Sequence, residues 1–257
     1  MINFFKRLFR TKSLPMSSAG LTHPGLVRKK NEDHFVQFKD RKLFLVADGM
    51  GGHQGGEVAS HTAIQIIADD LTDTVLTSAG SDQAEIRHAL LRSFERANNA
   101  VMVRANSDET LTGMGCTLIA AVLNGQTLHT CHVGDTRCYV VDDLALHQIT
   151  QDHSALVERL NDSSPNLEND PLPARHAVTR VIGFPFPEPP EYNAVHIKSG
   201  DRILLCSDGL WSMVDEESIR TVLQEARSAE KTVETLIDLA NEAGGLDNIT
   251  AVLIMID

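Results

Sequence analysis

Seven short runs constrain the fold of this chain more than any other feature: KLFLVA, CTLIAAVL, TLHTCHV, RCYVVD, AVHIK, RILLCS and NITAVLIMI. Each is rich in β-branched or apolar residues, is bounded by Gly, Asp or Asn, and has strand length. Several are apolar on both faces, as strands covered on both sides are. Helical stripes accompany them. Ile86, Leu90, Phe94, Ala97 and Val101 recur at i, i+4, i+8, i+11 and i+15 in a segment otherwise full of charge. Ile219, Val222, Leu223 and Ala226 follow a capping residue at Asp215, and Val233, Leu236, Ile237 and Ala240 follow Ser228. The elements do not alternate as βαβ units would. Their order predicts an α+β fold in which helices cover antiparallel sheets.

With 257 residues, 42% of them hydrophobic, the chain can bury one sizeable core. The expected organisation is a basic leader over residues 1–15 and a single domain over 16–257. A net charge of -12 argues against a nucleic-acid partner, because backbone binding requires basic surface. Cys116, Cys131, Cys138 and Cys206 lie in apolar runs without Cys-x-x-Cys spacing and read as reduced core residues. No run reaches the length of a membrane span, and the start lacks the pattern of a secretory signal, so a cytoplasmic protein is expected, and a monomer is the expected state. The opening MINFFKRLFRTK interleaves Phe, Leu and Ile with Lys6, Arg7, Arg10 and Lys12. Two readings stand for it: a short amphipathic helix making weak contact with an anionic membrane surface, and, favoured over that, a frayed leader.

Four acids fall at strand ends. Asp48 closes one run and precedes Gly49, Asp208 does the same before Gly209, Asp247 precedes the last run, and Asp135 sits in a VGDTR turn. Taken singly, Asp-Gly is turn chemistry. Taken together, carboxylates converging at the rim of an apolar sheet repel one another unless a cation lies between them. Mg²⁺ and Mn²⁺ prefer all-oxygen shells and accept a backbone carbonyl where no side chain blocks approach. Asp48 is thus a candidate ligand, with bare backbone beside it to admit a carbonyl. Glu32 and Asp33 follow Arg28 in RKKNEDHF, an arrangement suited to contacts with metal-bound waters and to a guanidinium fork for phosphate.

The motifs together, RxxxED from Arg28, ADGMGGHxxGExAS from Ala47, GCT from Gly115, HVGDTR from His132, TxDHS from Thr150, VTRVIG from Val178, CSDGLW from Cys206 and DNIT from Asp247, resemble in order those of the metal-dependent serine/threonine phosphatases of the protein phosphatase 2C type, in their bacterial form. The resemblance covers nearly all of the chain after the leader. It implies an αββα sandwich with a centre of two Mn²⁺ or Mg²⁺ ions at one end of the sheets. By the same resemblance Asp48 bridges both ions, the carbonyl of Gly49 binds one, and Asp208 and Asp247 bind the other. Glu32 and Asp33 shape the water shell, Arg28 grips the phosphoryl oxygens, and Asp135 helps hold a third, weaker ion. The implied reaction is hydrolysis of phosphoserine and phosphothreonine by a hydroxide held between the ions and attacking in line. Phosphoproteins would be the substrates and a serine/threonine kinase the opposing enzyme.

Three features depart from that pattern or compete with it. Eukaryotic members carry a His after the Asp-Gly pair where this chain has Met50, which leaves the leaving-group acid unassigned, and His53 reads as a surface residue. The stretch 161–175, where bacterial relatives have a flap, lacks their usual pattern. CHVGDTR also satisfies the Cys-x5-Arg spacing of cysteine-dependent phosphatases, with Cys131 and Arg137 in the two roles, but its surroundings read as strand, turn, strand instead of a loop opening a helix. A non-catalytic scaffold of the same fold would lose metal ligands, whereas Asp48, Asp208 and Asp247 are retained.

Overall fold

The computed structural model describes residues 14–51, 54–79, 82–155, 157 and 177–257. Residues 1–13, His53 and the stretch 161–175 lie outside that description. In chain order the elements are β1 (Met16–His23), β2 (His34–Phe38), β3 (Leu43–Met50), α1 (Gly55–Asp70), α2 (Asp73–Ala79), α3 (Gln83–Ser107), β4 (Gly115–Asn124), β5 (Thr127–Val133), β6 (Arg137–Val141), β7 (Leu146–Gln148), β8 (Glu191–His196), β9 (Arg202–Cys206), α4 (Asp208–Trp211), α5 (Glu216–Gln224), α6 (Ala229–Glu242) and β10 (Ile249–Ile256).

Among the described residues ten strands form two five-stranded sheets, ordered β1-β10-β9-β6-β7 and β2-β3-β4-β5-β8, with every pairing antiparallel. Alternation along β3 explains the layering. Leu43, Leu45 and Ala47 pack with Ile64, Ile67, Leu90 and Phe94 of α1 and α3, while Phe44 and Val46 meet Leu205, Val252 and Ile254 of the other sheet. Leu204, Leu253 and Met255 face the opposite way, onto Leu223, Leu236 and Ile237 of α5 and α6. Both faces of each central strand are therefore dry, and the result is the expected αββα sandwich.

All seven apolar runs lie on strands, although β8 begins three residues before AVHIK. Three strands were not among them. β1, MSSAGLTH, is polar and contains Gly20; β2 has five residues, and β7 has three. Such edge strands form on a partner already in place and carry little apolar periodicity of their own. The three helical stripes lie on α3, α5 and α6, except that Ala226 falls just past the end of α5, and Asp215 and Ser228 accept the expected cap hydrogen bonds from Ser218 and Lys231.

Candidate metal centre

The sheet-to-sheet interior ends in polar residues on three neighbouring rows. Asp48 continues the row of Phe44 and Val46, Ser207 that of Ile203 and Leu205, and Thr250 that of Val252 and Ile254. Asp33, just before β2, closes the gap between them. Its Oδ2 accepts hydrogen bonds from Ser207 at 2.7 Å and Thr250 at 2.6 Å, while its Oδ1 is buried without a partner among the described residues. Burial, with the charges of Asp208 and Asp247 added, pushes its carboxyl up to about 7.

The neighbouring acids behave alike. Burial, then the charges of Asp33, Asp208 and Asp135, hold the Asp48 carboxyl well above the ordinary carboxylate range. Burial and then Asp247 raise Asp208, whose Oδ1 is also buried and unpartnered. Asp208 does not end a strand as its sequence context implied. It opens the four-residue α4 behind the N-cap Ser207. Asp135, in the turn after β5, is pushed up to about 7 by burial and then by Asp208 and Asp152. Asp247 stands at the open edge, where one oxygen accepts the amide of Asn248 at 2.9 Å and the other pairs with Arg28 at 2.6 Å. That pairing raises the Arg28 guanidinium against the opposing effect of burial.

Two glycines of ADGMGGHQGG, Gly49 and Gly56, now have a physical reason. A Cβ on Gly49 would collide with the carbonyl oxygen of Gly56 and lie 2.6 Å from that of Glu32, so the end of β3 and the start of α1 meet backbone on backbone. Gly56 in turn leaves space for the Glu32 carboxyl, which burial raises against the opposing pull of Arg28 and Lys30. Asn248 secures this side. Its Oδ1 accepts the Glu32 amide at 2.8 Å, and its Nδ2 donates to the carbonyls of Pro24 at 3.0 Å and Lys30 at 2.8 Å.

The structure brings Asp48, Asp208, Asp33 and Asp135 into one electrostatically coupled group and sets Asp247, Arg28 and Glu32 along its rim. Bunched acids with raised carboxyls and two orphaned buried oxygens form an all-oxygen donor set. A hard divalent cation fits it. Sequence reasoning missed Ser207, Thr250 and Asn248 as supports, although all three stand inside the quoted motifs. It also missed how Asp135 is held: its carbonyl accepts Trp211 Nε1 at 3.0 Å, and the Trp211 ring lies 3.7 Å beneath the guanidinium of Arg137. Arg137 is gripped by both oxygens of Asp152, the nearest at 2.7 Å.

A second group, His132, His153 and Glu191, gathers ligand atoms within 4.8 Å of one another. The Gly134 amide donates to His153 Nδ1 at 3.1 Å, so the ring proton belongs on Nε2, which faces Glu191 at 3.7 Å. A nitrogen carrying that proton has no lone pair for a cation. His132 Nε2 meets the carbonyl of Gln151 at 2.9 Å, leaving Nδ1 as an acceptor. Cys131 is buried in β5, with its thiol raised by burial, and Arg137, on β6 of the other sheet, is committed to Asp152. The cysteine-phosphatase arrangement is therefore absent.

An all-oxygen acidic centre at one end of an αββα sandwich defines a class of metal-dependent hydrolases, and comparison with known proteins narrows it. The sequence matches the family Protein phosphatase 2C over residues 28–249. It is 35% identical over 240 residues to the protein phosphatase PhpP of Streptococcus pneumoniae, covering 91% of this chain and 95% of that one. The fold matches a Streptococcus agalactiae serine/threonine phosphatase with a TM-score of 0.84 and 32% identity, covering 95% of this chain and 100% of the other. It matches the catalytic domain of the phosphatase PstP, solved with two manganese ions, with a TM-score of 0.79 and 32% identity, covering 95% and 100%. The chain belongs to the protein phosphatase 2C family.

Proposed function

We propose that the acidic centre hydrolyses phosphoserine and phosphothreonine in proteins with two Mn²⁺ or Mg²⁺ ions, and that a third, weaker ion joins at Asp135. As a protein phosphatase 2C, the chain is a metal-dependent serine/threonine phosphatase. The coupling of Asp48 to Asp33, Asp208 and Asp135 carries the reading of the site: such carboxylates are stable together only when protonated or when shared with cations. When bound, the ions supply a water ionised near neutral pH for in-line attack and offset charge on the phosphoryl oxygens.

The chain's own residues have distinct tasks in this reading. Asp48, the Gly49 carbonyl, Asp208 and Asp247 hold the two ions. Asp33 and Glu32 accept from waters around them, and Ser207 and Thr250 orient Asp33. Arg28 exchanges Asp247 for the phosphoryl oxygens and fixes the ester in the ground state. A serine/threonine kinase would supply the phosphoproteins. Among the described residues no helix is long and apolar enough to cross a membrane. We place the enzyme in the cytoplasm as a monomer, with the basic leader making at most weak surface contact with lipid.

Hydrolysis of p-nitrophenyl phosphate with Mn²⁺, with and without chelator, tests the reaction. Turnover that needs Mn²⁺ and stops with chelator supports it, and turnover indifferent to chelator sinks it. Arg28→Ala tests the clamp: the Michaelis constant should rise more than the maximal rate falls.

A further inference from the structure

Three exposed apolar side chains crowd one rim of the centre. Leu26 is 66% exposed, Val27 61% and Leu246 57%. Single exposed apolar residues are ordinary, but neighbouring ones on a surface call for a cause. Here two loops are clipped together. The Leu26 amide donates to the Gly245 carbonyl at 2.7 Å, and Asn248 Nδ2 ties the second loop to the carbonyl of Pro24. Gly25, at φ 76°, has no room for a side chain against the backbone of Gly245 and Asp247. Gly245, at φ 51°, lies under Leu26, whose Cγ would be 2.9 Å from a Cβ there. The patch is thus held rigid by main-chain contacts, while its side chains stay in water.

Its place decides what it fits. Val27 is bonded to Arg28 and Leu246 to Asp247, and those two charged residues form the 2.6 Å pair at the mouth of the centre. An ester whose phosphoryl group reaches Arg28 brings its flanking residues to this rim, because an extended chain advances roughly 3.3–3.6 Å per residue. We infer that Leu26, Val27 and Leu246 form a specificity patch that receives an apolar side chain one to three residues from the phosphorylated residue of the substrate. The inference rests on the proposed phosphatase centre and adds a substrate class to it: phosphopeptides with an apolar flank. A preformed apolar contact favours such substrates without ordering any loop.

The test uses the full chain with Mn²⁺ and phosphothreonine peptides in a Gly/Ser background, with a single Leu stepped through positions −3 to +3. The protein should prefer Leu over Gly at one or two positions by about tenfold in kcat/KM. The double variant Leu26→Ser, Leu246→Ser should lose that preference and keep p-nitrophenyl phosphate turnover within about twofold, since that ester has no flanking residues. Leu26→Ala alone, with its main-chain bond intact, serves if the double variant does not fold, and should lose part of the preference. The inference is overturned by equal rates for all peptides, by a preference that survives in both variants, or by equal losses on peptide and aryl ester. It is overturned too if the substitutions only convert a dimer to a monomer in sedimentation, which would assign the patch to a second copy. Absence of metal-dependent aryl phosphatase activity in the unaltered protein would instead refute the underlying reading, a separate and recognisable failure.

Discussion

The hydroxyl of Thr250 donates to Oδ2 of Asp33 at 2.6 Å across 217 residues of chain, tying the first acidic segment to the last strand. The same oxygen takes Ser207, and the other takes nothing. Asp33→Asn keeps the acceptor and removes a buried carboxyl raised to about 7. Without metal, the variant should melt at or above the temperature of the parent near pH 7.5, because folding no longer buries that charge. Mn²⁺ affinity, measured by calorimetry, should fall by about tenfold or more. Lower metal-free stability with unchanged affinity would make Asp33 structural.

Asp208→Asn and Asp247→Asn should each depress Mn²⁺-supported turnover of an aryl phosphate by about a hundredfold or more while leaving the far-ultraviolet circular dichroism of the parent, because a ligand charge is lost and shape is nearly kept. The two differ in the metal-free state. Asp208 is half-buried, with a buried, unpartnered oxygen and a raised carboxyl, so its amide should stabilise; Asp247 is at the edge and pairs with Arg28, so its amide should change stability little. Activity within tenfold of the parent would remove either residue from the centre.

Gly49→Ala probes the backbone contact between β3 and α1. The added methyl would press on the Gly56 carbonyl and lie 2.6 Å from that of Glu32, atoms that flexible side chains cannot move aside. Overpacking of this kind costs about 1–3 kcal/mol. Urea denaturation should show that loss, and Mn²⁺ binding should weaken with it. A variant of parental stability and affinity would mean that the contact relaxes freely.

Much of this was legible in the sequence because its signals are local. The two-faced apolar runs define the sandwich, and Asp48, Asp135, Asp208 and Asp247 announce themselves by standing beside glycines or turns at run ends. What was hidden depends on contacts between distant segments. Nothing local distinguishes buried Asp33 from the more exposed Glu32, since the difference arises when Ser207 and Thr250 arrive from the other sheet. Arg28 reads as a phosphate fork, and its partner Asp247 is 219 residues away. β1 and β2 lack strong periodicity because their pairing with β10 and β3 defines them.

Acid should destabilise the fold through buried histidines. Burial, with the neighbouring His153 contributing, lowers His132 from its ordinary 6.5 to about 4. The unfolded chain takes up that proton below roughly pH 6.5 and the folded chain only below about 4, so stability is lost as pH falls through this window, by about 3 kcal/mol for the one group. His129, lowered by burial to about 4, acts in the same sense. Asp33 and Asp135 act oppositely, because their raised carboxyls keep protons that the unfolded chain has released. His132→Gln keeps a donor for the Gln151 carbonyl and cannot titrate. In chelator, its unfolding free energy between pH 7 and pH 4.5 should fall less than that of the parent; parallel curves would mean that His132 titrates normally.

Asp135 separates the proposed third ion from the first two. Its carbonyl is fixed by Trp211 and its carboxyl faces Asp208, with no other described carboxylate of the centre wholly its own. An ion held there has few protein ligands, so its occupancy should depend steeply on metal concentration. Asp135→Ala should leave two tight Mn²⁺ sites in a calorimetric titration and lower turnover most at millimolar Mn²⁺, where the parent would fill the third site. If Asp135 only shapes its turn, the variant should lose melting temperature and keep normal turnover in its folded fraction. Measuring both on one preparation distinguishes these outcomes, and parental turnover at saturating Mn²⁺ rules out a catalytic ion at Asp135.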